Sequence, residues 1–354
     1  MSAPWNSSNI SSNSTKSLTK VELNIWITFQ FGIGVIGAIL IVVLLNTMSK
    51  LGKLKSGSGL LIAHSLTIDL TFCLIVSPVA VLPIYLTQSH ITFSYDCVFV
   101  EFFLLLIIYA GNWTNVVLAV NRLIAVALPH FYTRITSRRF STLLLVIVWV
   151  IAFACSIPTL NFVNGLRSGM LHSGACGLTQ NKGATFTILG ATGTYLPIVL
   201  LGMIYISLFL ISRLMKGRGN LSTDTANEIH QRLVMKKRMS LAKALFLSYV
   251  WYCICILPPA VLNMFYATWW NKEIKLLLYT RGAQVLGYAA SPVFFFAVNP
   301  EYRKSLRKRC IDLLYTVQLS HQKQQSHNDS GLVKIPDSAK GNSCGIATTP
   351  LKNY

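Results

Sequence analysis

Three charged residues, Asp69, Glu101 and Arg281, lie well inside long apolar runs of this chain, and Arg122 stands near the carboxyl-terminal end of the run that contains Glu101. A charge in such a run is costly unless it faces water or a partner, so each is expected to serve a function. Carboxylates and guanidinium groups there can recognise a charged ligand, hold an ion or respond to a partner protein. The 7 histidines are scattered and no Gly-x-Ser-x-Gly motif is present, so we do not expect an enzyme.

Seven apolar runs position these residues. The chain is 53% hydrophobic and 12% charged, whereas a soluble domain carries about a quarter charged residues. Each run reaches the roughly 20 residues that a helix needs to cross a bilayer, and no alternating pattern indicates a β-barrel. We predict an all-α membrane protein with seven transmembrane helices at residues 25–47, 60–86, 98–128, 140–162, 184–214, 241–268 and 274–298.

The positive charge of the chain sets its orientation in the membrane. A formal net charge of +20 would suggest a nucleic-acid partner in a soluble protein. Here most of the lysines and arginines fall in alternate connecting segments and in the segment after the last run, as the positive-inside rule requires. We therefore predict no nucleic-acid binding. We expect a multi-pass plasma-membrane protein with its amino terminus outside, its carboxyl terminus in the cytoplasm and its first run as anchor.

Composition divides the chain into four parts. Residues 1–24 form an extracellular tail and residues 25–298 form the helix bundle. Residues 299–315 place basic and apolar side chains on opposite faces, which predicts a short amphipathic eighth helix against the inner lipid leaflet. Residues 316–354 are polar and predict a disordered cytoplasmic tail.

The amino-terminal tail contains three Asn-x-Ser/Thr triplets, at Asn6, Asn9 and Asn13. Such triplets accept N-linked sugar when they are exposed outside the cell. Three of them in so short a segment favour glycosylation over chance occurrence in a Ser/Asn-rich tail.

Three cysteines stand near the ends of runs. Cys97 and Cys176 both fall on the predicted outer side, where oxidising conditions favour a disulfide, and two free thiols are the alternative. Cys310 follows the seventh run among basic residues. It is a candidate for lipid attachment, with an unmodified thiol as the alternative.

Several residues follow one another in the order and spacing of a known receptor family. They are Asp69, Cys97, Arg122, Trp149, Pro197, Tyr205, Cys255-x-x-Pro258 and Ser291-Pro292. Over residues 25–312 the chain thus resembles the rhodopsin-like (class A) G protein-coupled receptors.

The resemblance implies a receptor that uses no cofactor or metal and couples to a heterotrimeric G protein, with arrestin and receptor kinases as further partners. Agonist would favour an open bundle in which the sixth helix swings about Pro258. Arg122 would then meet the carboxyl-terminal helix of the G protein α subunit. Tyr205, Pro292 and Asp69 match positions that take part in this change in the family.

The chain departs from the family pattern at several of these positions. Asn121 replaces the aspartate that usually restrains the arginine, a feature similar to melatonin and insect Moody-type receptors. Phe295 replaces the tyrosine of Asn-Pro-x-x-Tyr, and Gly111 and Gly287 stand near Asp69 where the family has polar residues, so we expect Asp69 to bind sodium poorly.

Two asparagines, Asn112 and Asn115, lie one turn apart on the third helix. They could hydrogen-bond to Asp69 or to water, or they could bond to backbone carbonyls. We hypothesise that Asn115, together with Asn121, eases wetting of the inner half, so that the receptor signals without ligand.

The predicted ligand pocket is apolar apart from two charges. Leu104 stands where amine receptors carry aspartate, so an amine ligand is not expected, and Ile108 and Asn263 also face the predicted pocket. Glu101 and Arg281 could simply pair, or Arg281 could extend outward. Otherwise Arg281 would bind the carboxylate or phosphate of a mostly apolar anion; a peptide ligand stays open.

A transporter or channel with seven helices is the alternative class. Such proteins often contain duplicated halves and broken helices, and this chain shows no internal repeat.

Overall fold

The computed structural model describes the helices and most of their connections. The described residues are 19–91, 95–128, 137–160, 166–171, 174–180, 184–218, 226–265, 273–298, 302–305, 307–308, 311 and 318. The glycosylation candidates Asn6, Asn9 and Asn13 and the lipidation candidate Cys310 lie outside them, and these predictions stay predictions. Residues Met1–Arg303 belong to one compact unit and Lys304–Tyr354 to another.

The described bundle is built almost entirely of helices. Two strands, β1 (Leu166–Met170) and β2 (Cys176–Gln180), stand between the fourth and fifth helices. We call the end of the bundle that carries them the outer end and the opposite end the inner end. The helices are α1 (Lys20–Lys50), α2 (Gly57–Gln88), α3 (Cys97–Ala127), α4 (Arg138–Leu160), α5 (184–218), α6 (Ala226–Phe265), α7 (Ile274–Ala289) and α8 (Ser291–Val298).

Polar caps mark where several helices begin. The Thr19 hydroxyl accepts the backbone N–H of Glu22, and the Glu22 carboxylate accepts the N–H of Thr19, which is a complete capping box before α1. Ser56 and Asp96 similarly accept backbone N–H groups at the starts of α2 and α3. These caps satisfy N–H groups that the first helical turn cannot pair internally.

Six of the described helices, α1 to α6, are long and apolar enough to cross a membrane. The fold prediction of an all-α transmembrane bundle is confirmed. The seventh predicted run, 274–298, differs from the expectation of one continuous helix, because it divides at Ala290 into α7 and α8. Pro292 supplies no N–H for the helical ladder, which explains the break at this point. The predicted amphipathic helix at residues 299–315, which is distinct from α8, lies mostly outside the described residues.

A glycine allows α1 to approach the seventh segment closely. A Cβ atom built on Gly37 would lie 2.5 Å from the Cβ and 2.8 Å from the Cα of Ala289. Further out, the Trp26 indole donates to the Leu278 carbonyl at 2.9 Å, and Lys275 pairs with Glu22 at 3.1 Å. These contacts fix α1 against α7 along its outer half.

The outer β-hairpin was not predicted from the sequence. Strands β1 and β2 pair antiparallel, with Met170 opposite Cys176. Gly174 has φ +83°, a left-handed conformation that glycine adopts readily, and it lies in the turn between the strands. The predicted disulfide joins Cys176 to Cys97 at the start of α3, which confirms the pairing and ties the hairpin to the bundle.

Substituting Gly37 by alanine should destabilise the bundle. The added methyl group must displace Ala289, and overpacking of this kind costs about 1–3 kcal/mol. We expect a lower thermal unfolding midpoint of the purified protein in detergent.

Gly32→Ala is the matched control on the same helix, because a Cβ there meets no atom within 4 Å. Its midpoint should be unchanged or slightly raised, since alanine favours a helix over glycine. Equal midpoints for the two variants would contradict the close approach.

Candidate functional site

A cavity of about 130 Å³ lies in the outer half of the bundle. Four of the predicted pocket residues line it: Glu101, Leu104 and Ile108 from α3, and Arg281 from α7. Residues of α5, α6 and the hairpin complete its wall. The side chain of the fifth predicted residue, Asn263, lies outside the described part of the structure.

The two charged residues of this cavity do not form a direct ion pair. Both belong to the described chain, yet no N–O distance between Glu101 and Arg281 falls within 4.0 Å. Arg281 Nη1 instead donates to Gln284 Oε1 at 3.2 Å. Glu101 Oε2 and Arg281 Nε are buried without a hydrogen-bond partner among the described residues. The simple pairing considered from the sequence is therefore absent from the described structure.

The β-hairpin covers the cavity from the outer side. Leu171, Gly177 and Leu178 line it together with the half-cystine Cys176. Because the disulfide attaches Cys176 to α3, the cover stays in place over Glu101 and Leu104. This arrangement favours a small ligand that is enclosed between the helices.

A polar joint connects three helices below this cavity. Asn112 of α3 donates through Nδ2 to the Gly193 carbonyl of α5 at 2.8 Å, and the Tyr252 hydroxyl of α6 donates to Asn112 Oδ1. Pro197 lacks the N–H that would bond to the carbonyl one turn earlier, so the Gly193 oxygen is available to Asn112. We call these three residues, Asn112, Gly193 and Tyr252, the central joint.

The central joint agrees with one of the two alternatives considered for Asn112, a bond to a backbone carbonyl, since its Nδ2 donates to the Gly193 oxygen. Neither asparagine of α3 hydrogen-bonds to Asp69 among the described residues. Asn112 belongs to the joint, and Asn115 accepts a long bond from the Ser65 hydroxyl at 3.4 Å. The proline of α5 was the available signal, because it predicts a carbonyl in need of a donor.

A second polar cavity, of about 40 Å³, lies in the inner half. Asp69, Asn115 and Ser291 line it on one side, and Tyr205 and Phe295 lie further inward. A space of this size can hold water, which needs about 10–15 Å³ and several polar partners. The structure thus gathers Asp69, Asn115 and Tyr205 around one cavity.

Arg122 lies at the inner end of α3 and is only 4% exposed. Its Nη2 donates to the Ser58 hydroxyl of α2 at 2.6 Å. Asn121 is also buried, but its Nδ2 has no hydrogen-bond partner among the described residues. Sequence reasoning missed Ser58, since its context Gly57-Ser58-Gly59 gives no sign that it faces an arginine.

Two further predicted residues take clear positions. Tyr205 packs its ring against Phe246 and Tyr249 of α6, with ring centroids 5.5 and 5.3 Å away. Pro258 and its neighbour Pro259 lie inside α6, and Pro259 borders the outer cavity.

A third polar contact ties α2 to α4. The Trp149 indole N–H donates to His64 Nε2 at 2.9 Å, while His64 Nδ1 lies 3.3 Å from the Thr114 hydroxyl. The Thr114 hydroxyl donates to the Ala110 carbonyl, so it accepts from His64. His64 is therefore a packing residue with a fixed arrangement of its ring nitrogens.

An outer ligand-sized cavity, an inner polar cavity and an arginine at the inner end of a helical membrane bundle define a transmembrane receptor. Residues 37–291 match the family model described as the 7 transmembrane receptor (rhodopsin family). The chain belongs to this family, which confirms the resemblance. As a member of a receptor family it is a multi-pass protein of the plasma membrane and a receptor rather than an enzyme, transporter or channel.

Curated relatives are similar over part of their length. The adenosine receptor A2a of Homo sapiens is 22% identical over 60% of this chain and 55% of its own. The tyramine receptor Ser-2 of Caenorhabditis elegans is 27% identical over 27% of this chain and 21% of its own. A 5-hydroxytryptamine receptor of Lymnaea stagnalis is 33% identical over 28% of this chain and 19% of its own. The chain thus spans about half or less of the length of these relatives.

Replacing Tyr252 by phenylalanine should loosen α6 from α3. The substitution keeps the ring but leaves the buried Asn112 Oδ1 without its hydrogen-bond donor. This destabilises the packing in which the central joint is formed by about 1–3 kcal/mol. Since about 1.4 kcal/mol is a factor of ten, we expect ligand-independent nucleotide exchange on an added G protein to rise severalfold.

Tyr279→Phe provides the control, because Tyr279 is 75% exposed on α7. Its basal exchange should equal that of the unchanged receptor. If Tyr252→Phe also left the basal rate unaltered, the joint would not restrain α6.

Proposed function

We propose that this receptor transmits an extracellular signal to a heterotrimeric G protein by opening the cytoplasmic end of its bundle. Arg122 carries this proposal: its guanidinium is buried at the inner end of α3 and donates to the Ser58 hydroxyl of α2. A buried ionisable residue in a membrane bundle is a functional-site hypothesis by default. The amino terminus would face outside and the carboxyl terminus the cytoplasm.

The opening motion would be a swing of the inner part of α6. Pro258 and Pro259 interrupt its hydrogen-bond ladder, and prolines give such helices a bending point. Agonist would shift the balance by binding the open packing more tightly. A 100-fold higher affinity of the agonist for the open packing corresponds to about 2.7 kcal/mol. This is comparable with the free energy of the few hydrogen bonds that would hold the closed packing.

Basal signalling is part of the proposal. Asn115 borders the inner polar cavity, and Asn121 brings a buried amide to the inner end. Both polar groups lower the cost of admitting water when the inner half opens. Asn121 stands where the family usually has the aspartate that restrains the arginine, and a neutral amide should hold Arg122 less firmly than a carboxylate.

The proposed ligand is a small, mostly apolar molecule with an anionic group. Most of the described residues that line the outer cavity are apolar, and Arg281 is the cationic one among them. The guanidinium offers planar donors that match a carboxylate or phosphate. The relatives are named for tyramine, 5-hydroxytryptamine and adenosine, but Leu104 gives this pocket no carboxylate at the amine-binding position. The covering hairpin supports a small molecule over a peptide.

Further partners follow from the cytoplasmic segments. Arrestin and receptor kinases would act on the opened inner end and on the Ser- and Thr-containing tail. The basic segment 299–315 would lie against membrane lipid.

Substituting Arg122 by alanine should abolish coupling. Receptor-stimulated nucleotide exchange on a purified heterotrimer should fall to the level of vesicles without receptor. Surface expression should stay near that of the unchanged receptor, because the bundle retains its apolar core.

Arg139→Ala is the matched control, since Arg139 is exposed at the start of α4. It removes one inner positive charge and should leave exchange intact. Full exchange by Arg122→Ala receptor at normal surface density would overturn the coupling role.

Substituting Arg281 by alanine should abolish responses to acidic ligands. A panel of medium-chain carboxylates and phosphate monoesters would be tested for stimulated nucleotide exchange. Loss of a buried charge–charge contact costs at least about 2 kcal/mol, so potency should fall by more than tenfold.

Lys275→Ala serves as control, because Lys275 also contributes a positive charge on α7 but pairs with Glu22 at the exposed outer end. Its responses should match those of the unchanged receptor. Equal responses of Arg281→Ala receptor to every active acid would exclude the anion site.

A further inference from the structure

The outer cavity is lined by two described residues of opposite formal charge that form no direct ion pair. Glu101 is 7% exposed, and its Oε2 has no hydrogen-bond partner among the described residues. Arg281 faces the same cavity and contacts Gln284 through Nη1, while its Nε is likewise without a described partner. The proposed anionic ligand would use Arg281 but would leave Glu101 without a role.

Energetics argue against a purely structural function of this arrangement. Two buried charges offset their desolvation only when they meet directly and their remaining polar atoms are hydrogen-bonded. Here the described atoms show no N–O contact within 4.0 Å between the two residues. Both residues instead line the same cavity. Such a cavity suits a molecule that carries one charge toward each residue.

We propose that the pocket recognises a small zwitterion: a carboxylate bound by Arg281, an ammonium bound by Glu101, and an apolar body between the helices. This inference rests on the proposed function, since it adds a second charge to the anionic ligand. Glu101 stands three residues before Leu104 on α3, one turn nearer the outside and on a similar face. It can therefore accept an ammonium group although Leu104 cannot.

The size of the cavity narrows the ligand class. A volume of about 130 Å³ is close to the cavity of about 150 Å³ that admits benzene in a protein core. Leu104, Ile108 and Ile256 provide apolar wall for one such group. The ligand class is thus an α-amino acid with an aromatic or branched apolar side chain.

Three matched probes test the two charges separately. Phenylalanine carries both groups, 3-phenylpropanoate lacks the ammonium, and phenethylamine lacks the carboxylate. Leucine and tryptophan extend the zwitterion set. Binding would be read as a shift of the thermal midpoint of full-length receptor in lipid nanodiscs and as stimulated nucleotide exchange, both at millimolar probe.

We expect a zwitterion of this set to bind more tightly than either singly charged analogue. Glu101→Gln keeps the shape of the side chain and should weaken zwitterion binding about tenfold or more, while binding of 3-phenylpropanoate stays the same or improves. Arg281→Gln should weaken both acids and spare phenethylamine. Glu22→Gln, which removes an exposed outer carboxylate, should change none of these affinities.

The outcomes separate this inference from the proposed function. If 3-phenylpropanoate matched phenylalanine and Glu101→Gln changed neither, the zwitterion would be wrong although the anion site would stand. If acids bound with no dependence on Arg281, the anion site itself would fail. If no amino acid of the set bound the unchanged receptor, the inference would be overturned.

Discussion

Hydrogen bonding at the centre of the bundle constrains the whole structure. In a membrane interior every backbone polar group needs a protein partner, and the proline of α5 leaves the Gly193 carbonyl without its usual donor. Asn112 supplies that donor and accepts from Tyr252, so one side chain joins α3, α5 and α6. Any outward movement of α6 must therefore break this joint or carry α3 and α5 with it.

The charges at the two ends of α3 are held in different ways. At the inner end Arg122 donates to Ser58, so its charge is hydrogen-bonded in the packing described here. At the outer end Glu101 retains a buried oxygen without a described partner. A charged group that gains a partner only on ligand binding stabilises the bound state. In the proposed function, the outer end would respond to a ligand and the inner end would release its arginine.

Sequence predicted those features that depend on composition, length and compartment. The transmembrane runs, the all-α class and the Cys97–Cys176 disulfide follow from apolar runs and from the outer position of both cysteines. The contact of Arg122 with Ser58 and the particular partners of Asn112 in α5 and α6 were missed, because each contact joins helices that are distant in sequence. The hairpin was missed because its strands are short and polar, so the alternation of apolar and polar residues that marks a strand is weak. The break at Ala290 was missed because it depends on how the helix accommodates Pro292 locally.

The central joint lies directly beneath the outer cavity on all three of its helices. Ile108 lines the cavity and stands four residues before Asn112 on α3, and Ile256 lines it four residues after Tyr252 on α6. On α5, Thr194 lines the cavity next to Gly193. Residues four apart lie on one helical face, so a ligand pressing on Ile108 or Ile256 acts on the turn that holds the joint. The structure shows the joint bonded; the proposed opening of α6 would break it, and these two arrangements would supply the coupling between the two ends.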